Sequence, residues 1–149
     1  MREVQPLEAG QGRYRFQAVI PIERQADCAF CADMLQKGAV GENGSVIAIR
    51  DRFPVTPGNL LVLPRRHATA VFSMTVTERA HADELLRVLR NRIMAEDKKV
   101  LGFNVGHNDG DVAGQTVMHA HIHLIPRRRG DMEDPRGGVR GVVPERRVY

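Results

Sequence analysis

The 149-residue sequence predicts an α+β domain, with one antiparallel sheet and a main helix packed on one of its faces. Three observations carry this. Apolar runs of strand length are joined by short Pro- and Gly-containing turns, and short connections favour antiparallel pairing. One long segment places apolar residues at helical spacing behind an N-terminal capping signal. A second strand pair follows that segment, so the helix sits between two groups of strands, as in an α+β layer arrangement.

The elements follow in chain order. Residues 1–12 read as a loose lead-in, and Arg13 to Ile20 alternates enough to form a strand. Ala32 to Lys37 has room for one or two helical turns, and Gly38 to Gly44 reads as loop. Ser45 to Asp51 and Asn59 to Leu63 read as strands, and Pro54, Pro57 and Gly58 turn the chain between them as a hairpin. Thr75 and Glu78 match a capping box, in which each side chain satisfies the other residue's free amide. Ala82, Leu85, Leu86, Leu89 and Ile93 then recur on one face, predicting a helix from about Val76 to Asp97. Gly102 to Gly106 is a short strand, His107 to Gly114 a loop, and Thr116 to Pro126 a strand of period-two character. Three regions result: the lead-in 1–12, a domain 13–126, and an Arg-, Gly- and Pro-rich tail 127–149 packed on that domain.

Composition narrows the function classes. Two cysteines are too few for a disulfide scaffold, and no apolar run reaches the length of a membrane span. The expectation is a soluble, cytoplasmic protein with no membrane partner. The net charge of +4 is uneven: residues 127–149 hold seven arginines and four acids, against 15 basic and 14 acidic residues before them. That local excess suits a phosphate or a partner contact. Neither an aromatic platform nor a recognition helix accompanies it, so nucleic acid is not the expected partner.

The most informative feature is His119-Ala-His121-Ile-His123. On a strand, alternate residues share a face at about 6.6 Å spacing. Three imidazoles then line one surface while Ala120, Ile122 and Leu124 face a core. Three readings compete: surface histidines on an amphipathic strand, a three-histidine metal site, or an imidazole that attacks phosphorus and leaves again. The preceding residues favour the last. Asn108, Gly114, Gln115 and Thr116 place amides, a hydroxyl and flexible backbone beside the histidines, the groups that cradle phosphate oxygens.

Gly114 to Asp131 (GQTVMHAHIHLIPRRRGD) and Ile49 to His67 resemble the signature block and nucleoside-binding hairpin of the histidine triad (HIT) superfamily, in particular its diadenosine polyphosphate hydrolases. With Cys28-Ala-Phe-Cys31 the resemblance runs from about Cys28 to the C-terminus. It implies a HIT-like fold and a nucleotide hydrolase or transferase acting at an α-phosphate, with dinucleoside polyphosphates or nucleoside phosphoramidates as candidate substrates. By that resemblance His121 is the nucleophile, the His119 carbonyl orients it, His123 contacts phosphate oxygens, and Thr116 and Asn108 lie at the scissile phosphate. Asp51 takes the ribose hydroxyls, and Asn59, Gly114 and Gln115 complete the nucleotide site.

Asn59 stands where better-known members carry a histidine. Asparagine positions but does not titrate, which keeps open a second expectation, a catalytically weak nucleotide-binding regulatory module. Cys28-x-x-Cys31 alone is compatible with two small buried residues, a redox dithiol or half a metal site. Zinc-containing family members imply the other half, His67 and His119, and hence a structural Cys2His2 zinc. The resemblance also implies a homodimer through the main helix and a neighbouring strand. His81 is expected on the exposed side of the helix without a function, and Arg127, Arg128 and Arg129 as surface cations of which some screen a polyphosphate.

Overall fold

The fold is built on one five-stranded sheet whose two faces are covered differently. A computed structural model describes residues 23–32 and 36–148. The strands are β1 (Gly41–Asn43), β2 (Val46–Arg50), β3 (Leu60–Pro64), β4 (Val100–Gly106) and β5 (Ile122–Arg128), in the spatial order β1-β2-β3-β5-β4. All neighbours pair antiparallel. The helix α1 (Val76–Glu96) crosses one face. The α+β expectation therefore holds.

Alternation along the central strands sorts the core. Val46 and Ala48 of β2, with Leu60 and Val62 of β3, meet Ala82, Leu85 and Leu89 of α1. Their neighbours Ile47, Ile49, Leu61 and Leu63 point to the other face and pack with Phe30 and Ala39. Both faces of β2 and β3 are apolar because both are covered, which is why these strands read as continuous apolar runs.

α1 starts where the capping box predicts. The Thr75 hydroxyl accepts from the Glu78 amide at 3.0 Å, and the Glu78 carboxylate accepts from the Thr75 amide at 2.8 Å. Glu78 is buried and also takes a two-toothed bond from Arg66, at 3.0 and 2.9 Å. Burial alone would raise its carboxyl; Arg66 and the Thr75 amide outweigh that and hold it below the ordinary value. This pair ties the end of β3 to the helix start.

Several expectations are corrected. The 38–44 loop contains β1, which pairs with β2 through Gly41↔Ala48 to Asn43↔Val46. The histidine strand is regular only from Ile122, not Thr116, and runs on to Arg128. Before it the backbone turns to another partner, with the Ala120 amide donating to the Ala68 carbonyl at 2.6 Å. His81 is half-buried rather than exposed, and its Nδ1 lies 2.9 Å from the Ser45 hydroxyl and 3.2 Å from the Ser45 amide that donates to it. Arg127 and Arg128 are paired: Arg127 with Asp131 at 2.7 Å, and Arg128 with Asp97, the C-cap of α1, at 2.8 Å. The lead-in, the 13–20 strand, and residues 33–35 of the short helical stretch lie outside the described residues. No helix among the described residues is long and apolar enough to cross a membrane.

Candidate active site and metal centre

The site lies on the face opposite α1. Ala120 and Leu124 are buried in the helix-side core and Ile122 packs against it, so the interleaved histidines are turned the other way. His123 pairs with Leu61 on β3 and Gly106 on β4, in the middle of the sheet.

Two hydrogen bonds assign the imidazole tautomers. His121 Nδ1 is 2.7 Å from the His119 carbonyl, which can only accept, so Nδ1 carries a proton, and the neutral form of the ring has its lone pair on Nε2. His119 Nε2 is 2.8 Å from the Pro64 carbonyl, so there the proton sits on Nε2 and Nδ1 is left as a donor atom. His119 is fully buried, and burial pushes its pKa down to about 4, against the Pro64 bond, so the ring is neutral.

The free Nδ1 of His119 faces sulfur, 3.6 Å from Cys28 Sγ and 3.5 Å from Cys31 Sγ. His67 Nδ1 lies 3.4 Å from Cys31 Sγ. All four ligand atoms fall within 4.8 Å of one another. Sulfur and nitrogen on one tetrahedral zinc stand about 3.6 Å apart, given bond lengths of about 2.3 and 2.0 Å. The donor set therefore fits such an ion in both chemistry and spacing. The turn Ala29–Cys31 is a 3-10 helix, in which residues three apart eclipse, and this brings Cys28 and Cys31 together. Burial pushes the Cys31 thiol up, a cost that a bound cation reverses by favouring thiolate. The Pro64 bond to the far nitrogen of His119 is the outer contact that orients a ligand imidazole.

His123 is half-buried, with its Nδ1 3.8 Å from an Asp51 oxygen and without a hydrogen-bond partner. Burial and the His121 ring lower its pKa, and Asp51 opposes them. Asp51 spends its other oxygen on the Phe53 amide at 2.9 Å, which shapes the hairpin tip. Asn59 is buried, and its side chain makes two hydrogen bonds: its oxygen accepts from the Val55 amide at 3.3 Å and its amide donates to the Leu60 carbonyl at 3.2 Å.

The loop before the triad is organised by Gln115. Its buried amide donates to the Thr69 and Val117 carbonyls at 2.6 and 3.1 Å, and its oxygen accepts from the Gly110 amide at 2.9 Å. Gly114 sits at φ +88°, a left-handed conformation natural to glycine, and its carbonyl accepts from Asn108 at 3.3 Å. Thr116 stays exposed. A cavity of about 310 Å³ is lined by Thr116 and by two of the candidate metal ligands, Cys28 and His67. His107 is half-buried, edge-on to Phe72 at 5.4 Å.

Sequence reading missed Phe30. Its ring stands 5.3 Å from the His121 ring at 84° and 6.0 Å from that of His119 at 75°. Its place between the two cysteines was the available signal. The reading also missed that Gln115 is committed to the loop through its bonds to Thr69, Val117 and Gly110.

An antiparallel sheet that carries alternating histidines away from its main helix, behind a Gly-Gln-Thr loop, defines a histidine triad protein. The chain belongs to the HIT family: the HIT domain model matches residues 34–130. It is similar to the crystal structure of a HIT family protein from Bacillus anthracis, at 35% identity and a TM-score of 0.64, covering 71% of this chain and 77% of that one. A zinc-bound histidine triad family protein from Mycobacterium smegmatis is similar at 30% identity and a TM-score of 0.59, over 72% and 80% of the two chains. The asymmetrical bis(5'-nucleosyl)-tetraphosphatase of Schizosaccharomyces pombe is 32% identical over 81 residues, covering 54% of this chain and 44% of that protein.

Proposed function

We propose that the protein is a nucleotide hydrolase or nucleotidyl transferase that acts at the α-phosphate of a dinucleoside polyphosphate or a nucleoside phosphoramidate. The observation that carries this is the 2.7 Å bond from His121 Nδ1–H to the His119 carbonyl, which in the neutral ring leaves the lone pair on Nε2. Nε2 forms a bond to the α-phosphorus as the bond to the leaving group breaks. The leaving group takes a proton, and water then displaces the imidazole from phosphorus to release a nucleoside monophosphate. His123, Thr116 and Asn108 hold phosphate oxygens, Asp51 accepts from the ribose hydroxyls, and Asn59, Gly114 and Gln115 shape the pocket. The likeness to the yeast tetraphosphatase supports a dinucleoside polyphosphate.

Cys28, Cys31, His67 and His119 would hold a structural zinc, supported by their spacing and by the zinc-bound relative. The ion would cross-link the N-terminal segment to the triad without touching substrate. A reducing compartment such as the cytoplasm suits a free Cys pair. A homodimer through α1 and β4 suits the open edge of β4 and the exposed Leu101, Val105 and Val88.

The test is rapid-quench labelling with radiolabelled diadenosine tetraphosphate. Wild type is expected to trap covalent nucleotide and His121→Ala none; equal labelling of both overturns the proposal. One observation favours the alternative of a binding module with little turnover. Asn59 does not titrate, and its side chain bonds to the Val55 amide and the Leu60 carbonyl. Nucleotide binding without product formation would establish that reading.

A further inference from the structure

Phe30 carries an assignment that neither the family signature nor the metal set supplies. It sits in the 3-10 turn between the two cysteines, and its ring touches two rings of the triad, His119 and His121, edge-on. It also packs against the Ile47, Ile49, Leu61 and Leu63 cluster under the same face. The ring is thus rooted in the core on one side and against the candidate nucleophile on the other.

His121 needs such a neighbour. An imidazole side chain has two free torsions, and the bond from Nδ1 to the His119 carbonyl pins one atom of the ring. It does not stop the ring from swinging about that contact. Two ring neighbours limit the swing, Phe30 at 5.3 Å and His123 at 5.2 Å. His123 comes from the same strand. Phe30 comes from a separate segment, held near the triad by the convergence of Cys28 and Cys31 on His67 and His119.

We infer that Phe30 is a positioning residue for His121: the Cys28–Cys31 turn, cross-linked to His119 and His67, holds the ring edge-on against the nucleophile and keeps Nε2 aimed at phosphorus. The metal turn then does more than brace the fold, because through Phe30 it controls the aim of the group that attacks. This rests on the nucleotidyl-transfer reading above, and the test separates the two.

The test compares zinc-loaded wild type, Phe30→Ala, Phe30→Leu and His121→Ala. The substrate is diadenosine tetraphosphate, with rapid-quench labelling at saturating and limiting concentration. The second readout needs no turnover: the Nδ1–H proton of His121 in NMR spectra of 15N-histidine-labelled protein. Phe30→Ala is expected to keep full zinc, slow labelling at saturation by about tenfold or more, leave KM within about twofold, and broaden the Nδ1–H signal. Phe30→Leu, which keeps apolar bulk, is expected to recover the signal and to come within about threefold of the wild-type rate. Phe30→Val makes the same cut more gently if the alanine variant does not fold.

A Phe30→Ala protein with unchanged rate and unchanged signal overturns the inference. So does a rise in KM with the saturating rate intact, because the ring would then contact the bound nucleoside. Loss of zinc in Phe30→Ala also overturns it, because the ring would then be part of the metal site's own integrity. Labelling of His121→Ala equal to wild type overturns the transfer reading instead, and the NMR signal still decides the role of Phe30.

Discussion

His119 serves two groups at once: its carbonyl accepts the Nδ1–H of His121 at 2.7 Å, while its own ring reaches the Cys28 and Cys31 sulfurs at 3.6 and 3.5 Å. One buried residue therefore links the candidate nucleophile to the candidate metal centre. The backbone does one job and the side chain the other, so neither compromises the other.

Cys28→Ser removes one of the four proposed zinc ligands. Zinc content measured by elemental analysis is expected to fall, and Tm to drop by roughly 5–10 °C, equivalent to about 2–3 kcal/mol at this chain length. Unchanged zinc stoichiometry and unchanged Tm would refute the ligand assignment.

Glu78→Gln leaves the half-buried Arg66 without its counter-charge. The expected loss is about 3 kcal/mol at neutral pH, read by denaturant unfolding. The pH dependence has a definite sign. Arg66 and the Thr75 amide hold the folded carboxyl below its ordinary value of 4.5. The stabilisation is therefore present above about pH 4.5 and fades as pH falls through the lower folded value. The gap between wild type and Glu78→Gln is expected to close across that acid window; a constant gap would contradict the role of the ionised pair.

Thr75→Ala removes the hydroxyl that accepts from the Glu78 amide at 3.0 Å. A loss of about 1 kcal/mol is expected, or a Tm lower by about 3 °C. Activity per folded molecule should stay unchanged, since α1 covers the face away from the triad. A selective drop in kcat would contradict that separation.

Gln115→Leu leaves the Thr69 and Val117 carbonyls and the Gly110 amide without their partner. The cost is expected at about 1–3 kcal/mol. Hydrogen exchange should quicken across residues 108–117, and kcat/KM should fall through misplaced Asn108 and Thr116. Unaltered exchange in the loop would show that the side chain does not organise it.

Much of the fold is legible in local pattern. The capping box, the helical stripe of α1 and the Pro/Gly turn of the hairpin are interactions within a few residues, and each lies where the spacing puts it. β1 was not legible, since Gly-Glu-Asn carries no strand pattern and becomes a strand by lying beside β2. The start of the triad strand was misread for a related reason. Alternation runs through His119 and His121, but the backbone there bonds to Ala68, a partner in the loop after β3.

The site divides in the same way. The sequence by itself determined which chemistry is available: three alternating histidines, a Gly-Gln-Thr loop, an acid after the first hairpin strand and a Cys-x-x-Cys pair. Side-chain parity and residue type are local properties and survive any packing. Only the tertiary structure decided how those groups are spent. It brought His67 and His119 to the cysteines, engaged Asn59 and Gln115 in backbone bonds, closed Arg127 and Arg128 on Asp131 and Asp97, and set Phe30 against His121. The meetings of His67 and His119 with the cysteines, of Gln115 with Thr69, of Arg128 with Asp97 and of Phe30 with His121 join segments far apart in the chain, and no local pattern encodes them.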